Sequence, residues 1–391
     1  MIFPQFSTVL LLLLNKERRK KMKIIIKKEI LSENLNKVSK ALSTKNLVPA
    51  LAGIKFDLKE EGLTLTASDN DITIETFIPK NNDMQIEEEG SIIIQGKYIL
   101  DIVRKIPDEK INLEVFDETK IIISTNNSEY NLNGIDKRDY PNINLEKKQN
   151  PIIIDSKEFK NMINQTAFAT SQDESRPQLT GINFKIVGDE LECNATDSYR
   201  LARKTLKIKE NNDTYNIVIP SKNLVEFTKI IDEEPIELHI FNNKILFKTN
   251  NTLFQSRLIN GSYPNTSNLL PSESMLKITV NINDLYNVID RVSILTSDKE
   301  KNIVTLETTG NTLIMRSSSI EIGRVEEKMN IIKDNESDIK ISFSAKFMME
   351  ALKVFEGEKA TITFVGEVNP IIIQDDKEEA LIQLVLPIRT Y

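Results

Sequence analysis

The 391-residue chain has no tryptophan, one histidine (His239) and one cysteine (Cys193). A lone cysteine cannot close an internal disulfide, and without a secretory leader pattern the chain reads as a protein of a reducing cytoplasm. A Cys/His zinc site, or a nucleophile served by a histidine base, has little material to draw on. Neither a G-x-x-x-x-G-K-S/T loop nor a G-x-G-x-x-G stretch occurs, so nucleotide hydrolysis and dinucleotide binding lack their phosphate-cradling signature. No catalytic residue, metal or cofactor is expected. His239 alternates with Leu238 and Ile240 in IELHIF and reads as a solvent-facing strand residue, whereas Cys193 shares strand period with Leu191 and Ala195 and reads as core. One carboxylate pair, Asp69 and Asp71 in SDND, could serve a magnesium-dependent or hydrolytic site; Asp and Asn are equally common turn formers.

Long apolar runs are scarce as well. Residues 1–14, MIFPQFSTVLLLLL, are short of the roughly 20 residues of a membrane span. The positive charges of NKERRKK follow this run rather than precede it, the reverse of a signal peptide. The functional chain is expected to begin at Met22, with residues 1–21 an extension outside the fold.

What is present is a repeat. Hydrophobic residues make up 40% and charged residues 28%, so the chain folds, and its length suits two or three domains. Three segments with helical apolar spacing end alike: KEILSENLNKVSKALS (28–43), SKEFKNMINQTAFATS (156–171) and INDLYNVIDRVSILTS (282–297). A second set runs strand, small residue, lysine, helix: IIIQGKYILDIVRKI, IVIPSKNLVEFTKII and ISFSAKFMMEALKVF, with Lys97, Lys222 and Lys346 spaced by 125 and 124 residues. A third set is a strand pair, INLEVFDETKIIISTNN, IELHIFNNKILFKTNN and ITFVGEVNPIIIQDD. Each block divides again into two halves of one strand, one helix and a run of strands, with alternation such as Leu63, Leu65 and Ala67 against Thr64, Thr66 and Ser68. Strand residues outnumber helical ones, and two short helices cannot cover both faces of two sheets, so they line one side together. The expectation is an α+β fold of three β-rich domains at 22–143, 151–271 and 275–391, joined by Asn-, Ser- and Pro-rich linkers. Unpaired strand edges at the ends of such a row favour assembly, and a head-to-tail contact that repeats by rotation closes a ring.

Charge is unevenly placed. The whole chain is −7, yet the six helical segments sum to +5, leaving −12 outside them. Basic helices on an acidic body suit a polyanion held inside, and lysine contacts to phosphate carry no sequence information.

NATDSYRLA (194–202), SRPQLTGINF (175–184), LINGSYPN (258–265) and the terminal LVLPIRTY (384–391) resemble the bacterial DNA polymerase III β sliding clamp family, from Met22 to the C-terminus. The resemblance implies the DNA clamp fold: three domains per chain, each two strand-helix-three-strand halves, paired head-to-tail as a homodimer into a six-domain ring with the helices inside, around duplex DNA. It implies a non-catalytic processivity factor, and a cleft between the second and third domains for peptides of the DNA polymerase III catalytic subunit, the clamp loader and other clamp-binding polymerases and repair proteins. The cleft lining carries over to Arg176, Leu179, Thr196, Tyr199, Arg200, Leu201, Pro264, Leu269, Leu384, Leu386, Pro387, Ile388 and Arg389. Apolar side chains beside two or three arginines suit an extended peptide with hydrophobic anchors and an acidic or polar flank. Pro387 is expected to end a strand and leave Ile388 and Arg389 free for a ligand. DNA contacts are expected at Lys45 and, on the second helices, at Lys97, Arg104, Lys105, Lys222 and Lys346. Tyr199 stands where histidine is frequent in the family. Two other readings remain open at this point: a peptide-binding adaptor of three β-rich repeats that leaves DNA alone, and a carboxylate-dependent enzyme around Asp69 and Asp71.

Overall fold

The structure, a computed structural model, describes residues 20–42, 48–269, 273–296, 302–319 and 321–389. Of the expected N-terminal extension, residues 1–19 lie outside the described residues. Lys20 and Lys21 open the strand Lys20–Lys27, with Lys20 opposite Phe116. Once Met22 to Lys27 pair with Lys110–Phe116, the antiparallel ladder offers backbone partners to the residues just upstream.

Contacts divide the chain into two compact units: the described residues up to Pro151 with Glu234–Arg257, and Ile152–Glu233 with Leu258–Tyr391. In the first unit one sheet runs Met84–Glu88, Lys20–Lys27, Lys110–Phe116, Lys120–Ser124, Glu129–Asn133. The other runs Ile236–Ile240, Lys244–Thr249, Thr252–Arg257, Ile72–Pro79, Gly62–Ser68, Gly53–Lys59, Gly90–Gln95. Each half-repeat therefore lends its leading strand to the other half: Lys20–Lys27 pairs with Lys110–Phe116, and Gly90–Gln95 with Gly53–Lys59. In the second unit a seven-stranded sheet runs Gly181–Thr196, Arg200–Pro220, Leu381–Val385, Ile371–Asp375, Lys359–Phe364, Leu276–Asn281, Ile332–Lys333. A four-stranded sheet runs Gly323–Asn330, Thr312–Ser319, Ile303–Thr309, Lys340–Ser344.

Six α-helices occupy the expected places among the described residues: α1 Lys28–Val38, α2 Gly96–Lys105, α3 Ser156–Thr166, α4 Ser221–Thr228, α5 Ile282–Ser293 and α6 Ala345–Leu352. They pack in pairs, α1 on α2, α3 on α4 and α5 on α6. Each buries an apolar stripe at spacings of three and four, such as Leu31, Leu35 and Val38 in α1 and Leu285, Val288, Ile289 and Val292 in α5. The first helix of a repeat is shorter than its apolar pattern suggests: α1 and α3 tighten into 3₁₀ turns, Ser39–Ala41 and Ala167–Ala169. At α3 the Thr166 hydroxyl donates to the Met162 carbonyl at 2.7 Å, competing for the last turn. Phe159 of α3 meets Phe184 and Phe227 edge-on at 6.3 and 5.6 Å, geometry worth about 0.5–1.5 kcal/mol per pair beyond burial. No helix among the described residues is long and apolar enough to cross a membrane.

Candidate partner-binding cleft and nucleic-acid face

Gly181–Thr196 and Arg200–Pro220 are joined by a turn closed from within. One Asp197 oxygen accepts from the amides of Tyr199 at 2.9 Å and Arg200 at 3.1 Å. The Thr196 hydroxyl accepts from the Ser198 amide at 3.1 Å and donates to the Arg200 carbonyl at 2.5 Å. Ser198 sits at φ 78°, the left-handed conformation that the turn requires. The Thr196 amide donates to the Tyr263 hydroxyl at 3.0 Å, tying this turn to the loop that carries Pro264. Tyr199 is thus held along its backbone while its side chain stays 63% exposed.

The floor beside Tyr199 is apolar. Leu201 stands opposite Leu384, and Leu384 opposite Ile372, and the three form a buried cluster with Leu386 packed against it. Leu179 is buried in the turn Pro177–Thr180. The last strand ends at Val385, as Pro387 demands. Beyond it the tail is strapped in place: the Leu386 amide donates to the Tyr199 carbonyl at 2.9 Å, and the Ile388 amide to the Ser342 carbonyl at 2.7 Å. Leu386, Pro387 and Ile388 stay half-buried and Arg389 exposed. Pro264 is exposed, and Leu269 is 39% exposed in the short turn Ser267–Leu269.

Arg200 is engaged within the fold. It is 9% exposed, and its guanidinium donates through Nε to Asp197 at 3.0 Å, through Nη1 to Glu350 of α6, and through Nη2 to the Phe168 carbonyl at 2.6 Å. The Phe347 and Phe168 rings flank it with centroids 4.5 and 5.1 Å from Cζ. A desolvated guanidinium persists only with such partners. Arg176, by contrast, is exposed, with one 3.2 Å bond from Nη1 to the Ser198 hydroxyl. Sequence reasoning missed Ile372, Tyr263, Phe168, Phe347 and Glu350. Nothing local marks Phe168, Phe347 and Glu350 as neighbours of Arg200, or Tyr263 as the partner of the Thr196 amide.

On the helices, Lys97, Lys222 and Lys346 are each the second residue of α2, α4 and α6, and each is exposed. Arg104 and Lys105 close α2, also exposed, with Arg104 paired to Asp101. Tyr98 is 51% exposed with the Lys97 ammonium 6.0 Å from its ring centroid. Lys45 lies outside the described residues.

The remaining candidates are structural. Asp69 closes a turn, one oxygen accepting from the amides of Asp71 at 2.9 Å and Ile72 at 2.8 Å. Cys193 is buried, which pushes its thiol up to about 12 and makes it unreactive. His239 is a correction: it is 1% exposed, not solvent-facing. Its strand does point it outward, but residues of the 136–150 connector cover that face. The Lys148 amide donates to His239 Nδ1 at 3.0 Å, the Lys244 ammonium donates to the Asn144 carbonyl at 2.5 Å, and the Tyr140 hydroxyl donates to the Thr66 carbonyl at 3.4 Å.

Three family models match the chain in order: DNA polymerase III beta subunit, N-terminal domain over residues 22–144, central domain over 153–265 and C-terminal domain over 267–389. The beta sliding clamp of Bacillus subtilis strain 168 is 40% identical over 378 residues, 95% of this chain and 100% of that protein. The beta sliding clamp of Staphylococcus epidermidis is 38% identical over 377 residues, with the same coverage of both chains. The crystal structure of the B. subtilis DNA polymerase sliding clamp superposes with a TM-score of 0.91 at 39% identity, covering 95% of this chain and all of that one. The β subunit from the DNA polymerase of Streptococcus pyogenes gives 0.90 at 32% identity, covering 94% and 100%.

Proposed function

Because the chain belongs to the DNA polymerase III beta subunit family, we propose that it closes a ring around duplex DNA and tethers the replicative polymerase through the strip beside Tyr199. Membership makes it a processivity clamp of DNA replication rather than an enzyme.

The observation that carries the tethering role is an exposed tyrosine fixed along its backbone beside a buried Leu201–Ile372–Leu384 floor and a half-buried C-terminal strap. A rigid aromatic at the lip of an apolar strip gives a partner peptide a large contact at little entropic cost. Its charged flank would be met by Arg176 and Arg389, both exposed. The clamp loader and other clamp-binding polymerases and repair proteins would compete for the same strip.

Ring closure falls to two strands that end their sheets, Glu129–Asn133 in one unit and Gly323–Asn330 in the other. Both alternate exposed and half-buried side chains, and an edge strand pairs most cheaply with another edge strand. Head-to-tail pairing of two copies through these edges leaves none of the four open. Three domains at 22–143, 151–271 and 275–391 then give six per ring, in the cytoplasm. Lys97, Lys222 and Lys346, on corresponding turns, would contact phosphates without reading sequence, with Lys45, Arg104 and Lys105 adding to them.

The test is retention on circular nicked DNA after loading by the cognate loader, before and after linearisation in moderate salt. Loss upon linearisation alone establishes a closed ring sliding off an end; equal retention on both forms, or binding to neither, rejects it. Tyr199→Ala with Leu386→Ala should abolish recruitment of the polymerase catalytic subunit and, because the loader uses the same strip, lower loading as well.

A further inference from the structure

Three N–H groups of Arg200 are committed to three different elements: Nε to Asp197 in the 196–200 turn, Nη1 to Glu350 in α6, and Nη2 to the Phe168 carbonyl in the 3₁₀ turn after α3. The Phe168 and Phe347 rings cover the guanidinium, and the residue as a whole is 9% exposed. A ligand carboxylate arriving at the strip would have to displace Asp197 or Glu350 to reach this charge. The same Asp197 carboxylate fixes the amides of Tyr199 and Arg200 through its other oxygen, and the Tyr199 carbonyl holds the Leu386 amide. A chain of direct bonds thus runs from Glu350 through Arg200 and Asp197 to Tyr199 and the C-terminal strap.

We propose that Arg200 is a positioning residue for partner binding, a strut that sets the Tyr199 turn and the C-terminal strap against α6 rather than a charge that the partner touches. This inference rests on the cleft reading above. Charge recognition is then divided between residues: Arg176 and Arg389, exposed beside the strip, supply the salt-sensitive part of affinity, and Arg200 supplies geometry that salt does not screen. Lysine cannot replace it, because a point charge on a flexible stem cannot hold two carboxylates and a carbonyl in one plane. α6 also presents Lys346, so the strut ties the partner strip to a helix assigned to DNA.

The experiment measures affinity of the full-length chain for the immobilised cognate polymerase catalytic subunit across a range of salt. Arg200→Lys and Glu350→Gln should each weaken binding about tenfold, and the double variant should be little worse than either, as for residues in one network. The salt dependence should stay that of the wild type, whereas Arg176→Ala with Arg389→Ala should flatten it. The chain has no tryptophan, so Tyr199→Trp places a single indole at the lip, and its fluorescence anisotropy should fall when Arg200→Lys or the shape-conserving Glu350→Gln is added. Wild-type affinity in both strut variants, or a flattened salt dependence in Arg200→Lys, overturns the positioning role while the cleft stands. If Leu386→Ala binds as tightly as the wild type, the cleft reading itself falls and the proposal with it.

Discussion

Two strand pairings in this molecule have the same length of register and opposite chemistry. In the first unit Thr252–Ser256 stand opposite Thr76–Ile72; in the second Arg200–Lys204 stand opposite Val385–Leu381. The first seam is neutral at its centre. Phe254 and Ile74 are opposite one another and fully buried, and the Thr76 hydroxyl lies 3.3 Å from that of Thr252 and donates to Asn34 of α1 at 2.8 Å. The second is cationic, with Arg200, Arg203 and Lys204 in five residues, each engaged: Arg203 with Asn194 and Thr266, and Lys204 with Glu378. Gln165 of α3 supports this by donating to Glu378 at 2.8 Å, and Gln383 donates back to the Gln165 carbonyl at 3.0 Å. The one carboxylate of the first seam, Glu75 opposite Leu253, accepts from the Thr66 hydroxyl at 3.1 Å. The second seam has a buried apolar pair too, Leu201 opposite Leu384, and adds directed charge pairs around it.

The first seam depends most on Phe254. Phe254→Ala should cost the first unit about 3–5 kcal/mol in denaturant unfolding, the range for removing a buried phenylalanine ring. A loss under 1 kcal/mol would mean that the seam is held by its hydroxyls instead. At the charged seam, Glu378→Ala leaves buried Lys204 without its carboxylate and should cost roughly 2 kcal/mol, below the figure for a fully buried pair because Glu378 is partly exposed. Replacing both partners, Lys204→Met with Glu378→Leu, should recover most of that loss, and failure to recover would show packing to be at fault.

A smaller effect, in pH, separates the units further. Burial lowers the pKa of His239 from its ordinary 6.5, opposed by nearby Glu237, and Nδ1 serves the fold as an acceptor. A depressed imidazole stabilises the fold fully above pH 6.5, and that contribution is lost as pH falls through the folded pKa. The first unit should therefore soften in mild acid, and His239→Gln should remove that step; an unchanged acid profile in the variant would exclude the histidine. Least of all in stability, Tyr199→Ala should change unfolding by less than about 0.5 kcal/mol, as an exposed side chain does, while partner binding is lost.

Much of this was legible in residue order. The spacing of Lys97, Lys222 and Lys346 located three corresponding helix starts, and the alternation about Cys193 placed it in a core. SDND turned out to be a turn, because a short carboxylate reaches its own backbone. His239 was misread because strand alternation reports which face a side chain points to, not what later covers that face. The setting of Arg200 was not legible for a related reason: Glu350 and Phe347, which occupy its guanidinium, lie about 150 residues away in the chain.

Local pattern determined the repeat and the helix pairs, since periodicity acts over a few residues, whereas the residues around Tyr199 were marked only by the family resemblance of NATDSYRLA and LVLPIRTY. How the middle repeat is shared was decided only in three dimensions. Its strands at Glu234–Arg257 belong with the first unit and the rest with the second. Thr252–Arg257 found an edge in Ile72–Pro79, and Arg200–Pro220 another in Leu381–Val385. A strand edge satisfies its backbone with whichever complementary edge the fold brings alongside, and no local sequence signal records that choice.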